Sequence, residues 1–162
     1  MSGVHHLSLL WRLGAARELD GVDVQVRLED IKKITVLGAG IMGSGIVEVC
    51  ARENYKVSMT DLTNELVTKG LDKIKSSLSR ALDKGKITKE NVEAAVSNIR
   101  ITTDMREATR DSDLVIEATP EDLELKKRIF KQLDGLCPRQ AILASNTSGI
   151  MITDIASATN RP

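Results

Sequence analysis

Three glycines in the run Gly38-Ala39-Gly40-Ile41-Met42-Gly43 follow a short stretch of β-branched and aliphatic residues, and a helical pattern follows them. Each glycine has a mechanical use at a strand-to-helix turn that receives a phosphate. Gly38 permits the tight turn out of the strand. Gly40, with no β-carbon, lets backbone approach a pyrophosphate, and Gly43 lets helix and strand pack closely. The helix opening at Ile41 then offers unpaired N–H groups and a partial positive charge to an anion. The bare spacing also suits an ordinary glycine-rich turn, so the context carries the reading. That context includes Asp61, at the end of the next strand and about twenty residues on, where an acid accepts hydrogen bonds from the adenosine ribose and repels a 2′-phosphate. Leu62-Thr63-Asn64 bring no arginine to neutralise such a phosphate, which favours NAD over NADP. The plainer alternative for Asp61 is a helix cap.

Two further clusters fall at strand ends. Glu117-Ala118-Thr119-Pro120-Glu121 ends one strand and Ser145-Asn146-Thr147-Ser148-Gly149 ends the next. Small hydroxyl and amide side chains there suit a nicotinamide ribose or a substrate oxygen without blocking hydride transfer. Taken alone, the second run reads equally well as a turn. A third region, from Leu62 to about Ser97, carries Lys69, Lys73, Arg80, Lys84, Lys86 and Lys89. These make it mildly basic, as a phosphorylated substrate tail requires. On charge alone, a solvated helix face with interleaved acids explains it better.

The elements that must hold these residues alternate. Strands are expected in KKITVLGAG, KVSMTD, NIRITTD, DSDLVIEAT and AILASNT. A helix after the glycines would bury Ile41, Val47, Val49 and Ala51. Asn64 is a candidate N-cap for a second helix, with Leu66, Val67, Leu71, Ile74, Leu78 and Leu82 inward and Gly85 as its stop. Thr88 would cap a third, running to about Val96. Leu123, Ile129, Phe130 and Leu133 mark a helix closed by Gly135 and Pro138. This order predicts an α/β fold, a Rossmann-type doubly wound parallel sheet with a helical-hairpin insertion between its second and third strands. Residues 31–162 form that domain. Residues 1–30, with His5, His6 and Trp11, read as an N-terminal extension, a short helix plus linker or the remnant of a preceding domain.

Composition bounds the function. The chain has 162 residues, 23 basic and 23 acidic, 41% apolar and 2% aromatic. One domain of that size buries roughly two-thirds of the surface its unfolded chain exposes. Zero net charge and few aromatics argue against a nucleic-acid partner. No apolar run approaches the ~20 residues of a membrane span. Cys50 and Cys137 lack metal-ligand spacing and read as reduced thiols, which points to a cytoplasmic location and no metal.

From Ile34 to Pro162 the chain resembles the NAD-binding domain of the 3-hydroxyacyl-CoA dehydrogenases. The resemblance rests on GAGIMGSGI, DLVIEATPEDLELKKRIFKQLD, and ILASNTSGI followed by ITDIA and RP. It implies NAD as cofactor and an acyl-CoA substrate. It places Gly38, Gly40, Ile41, Met42 and Gly43 at the pyrophosphate and Asp61 at the adenosine ribose. Glu121 and Lys126 would reach the nicotinamide-side ribose, and Ser148 both nicotinamide and the substrate's 3-hydroxyl. Ser77 and Lys84 fall where that family holds coenzyme A. Gly149 departs from the commoner family string, which has a second serine there.

Oxidation of a secondary alcohol needs a base for its proton while hydride leaves to the cofactor. In the family this is a histidine oriented by a glutamate, in a segment just after the point matched by Pro162. The chain's two histidines match nothing in the motif. The expected function is thus the NAD-binding part of an oxidoreductase converting L-3-hydroxyacyl-CoA to 3-ketoacyl-CoA in fatty-acid metabolism. The alternative is a non-catalytic NAD(H)-binding module. A C-terminal partner domain or a homo-oligomer would complete the former. Apolar residues near Ile150, Ile152 and Ile155 are expected to be exposed for such association.

Overall fold

The structure, a computed structural model, describes residues 17–19, 22–24 and 26–161. Arg17–Leu19 (β1) and Val22–Val24 (β2) pair antiparallel, where a linker was expected. The helix expected ahead of them, with both histidines and Trp11, lies outside the described residues. A single 3-10 turn at Leu28–Asp30 leads into the sheet.

Five parallel strands follow in the spatial order β5-β4-β3-β6-β7. They are Lys33–Leu37 (β3), Lys56–Thr60 (β4), Ile99–Thr102 (β5), Leu114–Glu117 (β6) and Ile142–Ser145 (β7). The chain steps outward from β3 to β5, then returns to the other side of β3 for β6 and β7. The order therefore reverses between β3 and β6, and a crevice opens beyond their carboxyl ends at Leu37 and Glu117. Helices cover both faces. On one, Ile41–Arg52 (α1), Asn64–Asp83 (α2) and Lys89–Ser97 (α3) pack Val47, Ala51, Val67, Ile74, Leu78 and Ala95 onto Ile34, Val36, Val57 and Met59. On the other, Leu123–Leu136 (α5) and Ile152–Ala156 (α6) bury Ile129, Phe130, Leu133 and Ile155 against Leu37 and Val115. Each fully buried aliphatic side chain contributes roughly 1.5–3 kcal/mol relative to exposure.

Several local expectations are corrected. Thr63, not Asn64, caps α2, its hydroxyl accepting the Leu66 amide at 3.3 Å. Asp61 is therefore no helix cap. In α1 the buried face is Gly43, Ser44, Val47 and Ala51, while Ile41 and Val49 face outward. Gly135 lies inside α5, which ends one residue later at Leu136, with Cys137 as its C-cap before Pro138. A short helix, Met105–Thr109 (α4), capped by Asp104, had no apolar periodicity to announce it. Gly85 does end α2 as expected. Its φ is +63°, and the Gly85 and Lys86 amides donate to Leu82 and Ala81, a Schellman closure. Ile155 is buried, leaving Met151 and Ile152 as the exposed apolar pair. Among the described residues no helix is long and apolar enough to cross a membrane.

Candidate functional site

The glycine elbow sits at the crevice. Gly38 leaves β3 with φ +101°, and a β-carbon there would lie 2.5 Å from the Ala118 carbonyl oxygen beyond β6. A β-carbon on Gly43 would lie 1.8 Å from the Gly38 carbonyl oxygen, so the first turn of α1 can touch the strand end only as glycine. Gly40 differs: nothing of the chain lies within 4 Å of its missing β-carbon. It is the N-cap of α1, yet no side chain caps the helix and no acid stands in its first turn. The Ile41 and Met42 amides thus have no acceptor among the described residues. Their side chains stand out from the elbow, both exposed. Polar N–H groups beside empty space, at the positive end of a twelve-residue helix, constitute an anion cradle.

Asp61 follows β4 directly. Its Oδ2 accepts the Ala39 amide at 2.7 Å and its Oδ1 accepts the Leu62 amide at 2.7 Å. The carboxylate is half-buried, and each oxygen keeps a further lone pair for a hydroxyl donor.

On the other wall of the crevice, Glu121 gathers the loop after β7. Its Oε1 accepts from the Thr147 hydroxyl at 2.6 Å, the Gly149 amide at 2.9 Å and the Ser148 amide at 3.1 Å. The Thr147 hydroxyl, then the Gly149 amide, hold the Glu121 carboxyl down at about 2. Its Oε2 stands 3.6 Å from the Lys126 ammonium and is otherwise open. The Ser148 hydroxyl has no partner among the described residues, and the residue is exposed.

Lys126 is only 1% exposed. From the first turns of α5 its ammonium meets both oxygens of Glu117, at 2.8 and 2.9 Å, and the Thr119 carbonyl at 3.2 Å. Burial pushes the Glu117 carboxyl up, but hydrogen bonds from Lys126, Ser145 and Thr119 outweigh it and hold it below the usual range. The ammonium expected at the nicotinamide-side ribose is thus buried and held by Glu117 and Thr119, 3.6 Å from Glu121.

Ser77 is on α2 and Lys84 is its C-cap, seven residues and so about 10 Å further along the same face. Ser77 is half-buried and Lys84 exposed. Lys73 and Arg80 share that face by their spacing, and none of the three cations forms an ion pair among the described residues. Asn146, exposed, directly follows β7, and its backbone amide donates to the Glu117 carbonyl at 2.8 Å.

Two residues had drawn no role from the sequence. Gly70, buried on α2, would place a β-carbon 2.9 Å from Ala39 Cβ and 3.0 Å from Ala39 O, so α2 crosses directly over the elbow. A glycine amid strong helix formers was the available signal. Glu117 is the other; a lone acid ending an apolar strand, nine residues before a lysine on an otherwise apolar helix face, was its signal.

Comparison with known proteins agrees with this architecture. The family model described as 3-hydroxyacyl-CoA dehydrogenase, NAD binding domain, matches residues 33–162. A probable 3-hydroxybutyryl-CoA dehydrogenase of Bacillus subtilis is 44% identical over 133 residues, covering 82% of this chain and 46% of that protein. The mitochondrial hydroxyacyl-coenzyme A dehydrogenase of Rattus norvegicus is 39% identical over 136 residues, covering 81% of this chain and 43% of its own. The crystal structure of (S)-3-hydroxybutyryl-CoA dehydrogenase from Ralstonia eutropha superposes with a TM-score of 0.77 at 38% identity, over 80% of this chain and 46% of that one. The chain spans somewhat under half the length of these relatives. With the elbow, the strand order and these matches in agreement, the chain belongs to the 3-hydroxyacyl-CoA dehydrogenase family, of which it carries the NAD-binding domain.

Proposed function

We propose that residues 31–162 form the cofactor-binding half of an enzyme that interconverts L-3-hydroxyacyl-CoA and 3-ketoacyl-CoA, with residues 1–30 as an extension. The carrying observation is the open space at Gly40 beside the unpartnered Ile41 and Met42 amides, braced by Asp61 through Ala39. A diphosphate fits that donor set. NAD, when bound, accepts or returns the hydride.

The chain's own residues do the rest. The amides at Gly40–Gly43 hold the diphosphate, and Gly38 and Gly43 keep the elbow narrow enough for that approach. Ile41 and Met42 shield the phosphates from water. Asp61 accepts the adenosine ribose hydroxyls and disfavours a 2′-phosphate. Glu121 Oε2 accepts a hydroxyl of the nicotinamide-side ribose, and Lys126 acts from behind, by fixing the two acids. Ser148 donates its free hydroxyl toward the substrate's 3-oxygen. Ser77 and Lys84 take the coenzyme A portion, whose phosphates suit the unpaired cations of α2. Residues 31–162 contain no histidine, so we place the proton acceptor for the 3-hydroxyl outside that domain. Exposed Met151 and Ile152, close to Ser148 in the chain, support a covering partner there, a second domain or a second copy. Free Cys50 and Cys137 support a reducing, cytoplasmic setting.

Titration of the chain with NADH, followed by nicotinamide fluorescence, tests the reading. Saturable binding displaced by ADP is expected; no binding overturns it. Addition of acetoacetyl-CoA then separates the catalytic roles. Binding without turnover agrees with a proton acceptor supplied from elsewhere, and steady turnover would show that this chain supplies its own.

A further inference from the structure

Beneath the crevice lies a carboxylate that no solvent reaches. Glu117 ends β6 with a side chain 0% exposed. Its Oε1 accepts from the Thr119 amide at 2.6 Å and the Thr119 hydroxyl at 2.5 Å, and its Oε2 from the Ser145 hydroxyl at 2.5 Å. Lys126 donates to both oxygens. These donors come from three separate segments: the turn after β6, the end of β7, and α5. Thr119 is gripped from both sides, because its carbonyl also accepts from Lys126.

A buried ion pair adds little net stability over a well-packed apolar pair, since desolvation offsets most of the attraction. What this one supplies is direction. The Ala118 carbonyl, next to Thr119, forms the wall against which Gly38 turns. On the opposite side Lys126 faces Glu121, whose other oxygen holds the amides of Ser148 and Gly149. Glu117 thus bonds both to the turn that backs the glycine elbow, at Thr119, and to the strand end that leads into the Ser148 loop, at Ser145.

We propose that Glu117 is a positioning residue for the nicotinamide half of the site, setting through Thr119, Lys126 and Ser145 where Glu121 and the Ser148 loop stand relative to the elbow. This rests on the NAD reading above. Glu117 itself touches no ligand.

The test compares two ligands that share the adenosine diphosphate half: NADH and ADP. In Glu117→Gln the amide nitrogen or the lost charge spoils the bond to Lys126. NADH affinity is expected to fall about tenfold, one displaced charged hydrogen bond's worth, while ADP affinity stays within about twofold. Should that variant fail to fold, the paired change Glu117→Leu with Lys126→Met removes the charges together and fills the space with apolar atoms. It is expected to show the same split, with NADH fluorescence in the complex shifted toward that of free NADH. Equal losses for both ligands would reduce Glu117 to a general structural role and overturn the proposal. So would unchanged NADH affinity in a folded variant. A wild-type chain that bound ADP but gained nothing from the nicotinamide half would refute the underlying reading, and this inference with it.

Discussion

The Asp61 carboxylate reaches back from the end of β4 to take the Ala39 amide hydrogen at 2.7 Å, so one acid both shapes the glycine elbow and faces the space beside it. Loss of the carboxylate should therefore be felt in two ways.

Asp61→Ala is expected to weaken NADH by about 1–2 kcal/mol, the worth of one or two hydrogen bonds. It should also narrow the preference for NADH over NADPH, because the repulsion of a 2′-phosphate goes with the charge. Parallel titrations with both nucleotides check this. An unchanged NADH-to-NADPH ratio would move the ribose away from Asp61.

Gly40 and Gly43 are three residues apart and predict opposite phenotypes. A methyl on Gly43 meets the Gly38 carbonyl oxygen at 1.8 Å, a backbone atom that cannot yield. Gly43→Ala should cost at least about 2–3 kcal/mol in denaturant unfolding. A methyl on Gly40 meets nothing within 4 Å. Gly40→Ala should cost no more than about 1 kcal/mol of stability, the step from glycine to alanine at an N-cap. It should still weaken NADH tenfold or more, because the methyl occupies the diphosphate's place. Normal NADH binding by folded Gly40→Ala would remove the phosphate from the elbow.

The alternation of apolar strands with capped helices was enough to predict the doubly wound sheet, and the spacing from Gly38 to Asp61 located its crevice. What escaped was set by neighbours distant in sequence. Ile41 and Val49 have helical apolar spacing but face outward, since only the Gly43–Val47 side of α1 meets the sheet. Thr63 and Asn64 are both good caps, and it is Thr63 that keeps extended backbone and accepts the Leu66 amide. Lys126 reads as a surface lysine of an amphipathic helix. Its burial follows from Glu117, a partner nine residues away at the end of β6, outside the helix's own periodicity. Gly70 is required only because Ala39 lies beneath it.

Glu121 predicts an acid-limb signature. Its carboxyl is held at about 2 in the folded chain against an ordinary 4.5. A group with a lowered folded value contributes stability above its unfolded value and loses it as pH falls through the folded one. The contribution should thus be complete above pH 5 and vanish between about 4.5 and 2. Glu121→Gln lacks this titration. Urea midpoints of the two proteins should differ at neutral pH and converge on acidification across that window. A constant difference would place the stabilisation elsewhere.

Gly149, where the family string commonly has serine, faces Glu121 Oε1 at 3.6 Å from its missing β-carbon, an ordinary contact. Gly149→Ser is expected to fit and to stabilise by about 0.4–1 kcal/mol through the unfolded chain's lost freedom. Loss of stability would mean that the Ser148 loop needs glycine for reasons its geometry does not show.

Gly70 couples α2, with its Ser77 and Lys84 face, to the nucleotide elbow. Its β-carbon would press on Ala39 at 2.9 Å and on Met59 Cε at 3.1 Å. Methionine is the flexible member of that pair and can retreat, whereas Ala39 is tied to Asp61 through its amide. Gly70→Ala should therefore cost about 1–3 kcal/mol of stability. Part of the strain should pass into the Ala39–Asp61 bond, weakening NADH although the substituted residue lies outside the crevice. Combining Gly70→Ala with Asp61→Ala distinguishes transmission from coincidence. If the strain acts through that bond, the two losses in NADH affinity fall short of adding, since the second change removes what the first had already disturbed. Fully additive losses would separate the helix crossing from the ribose site.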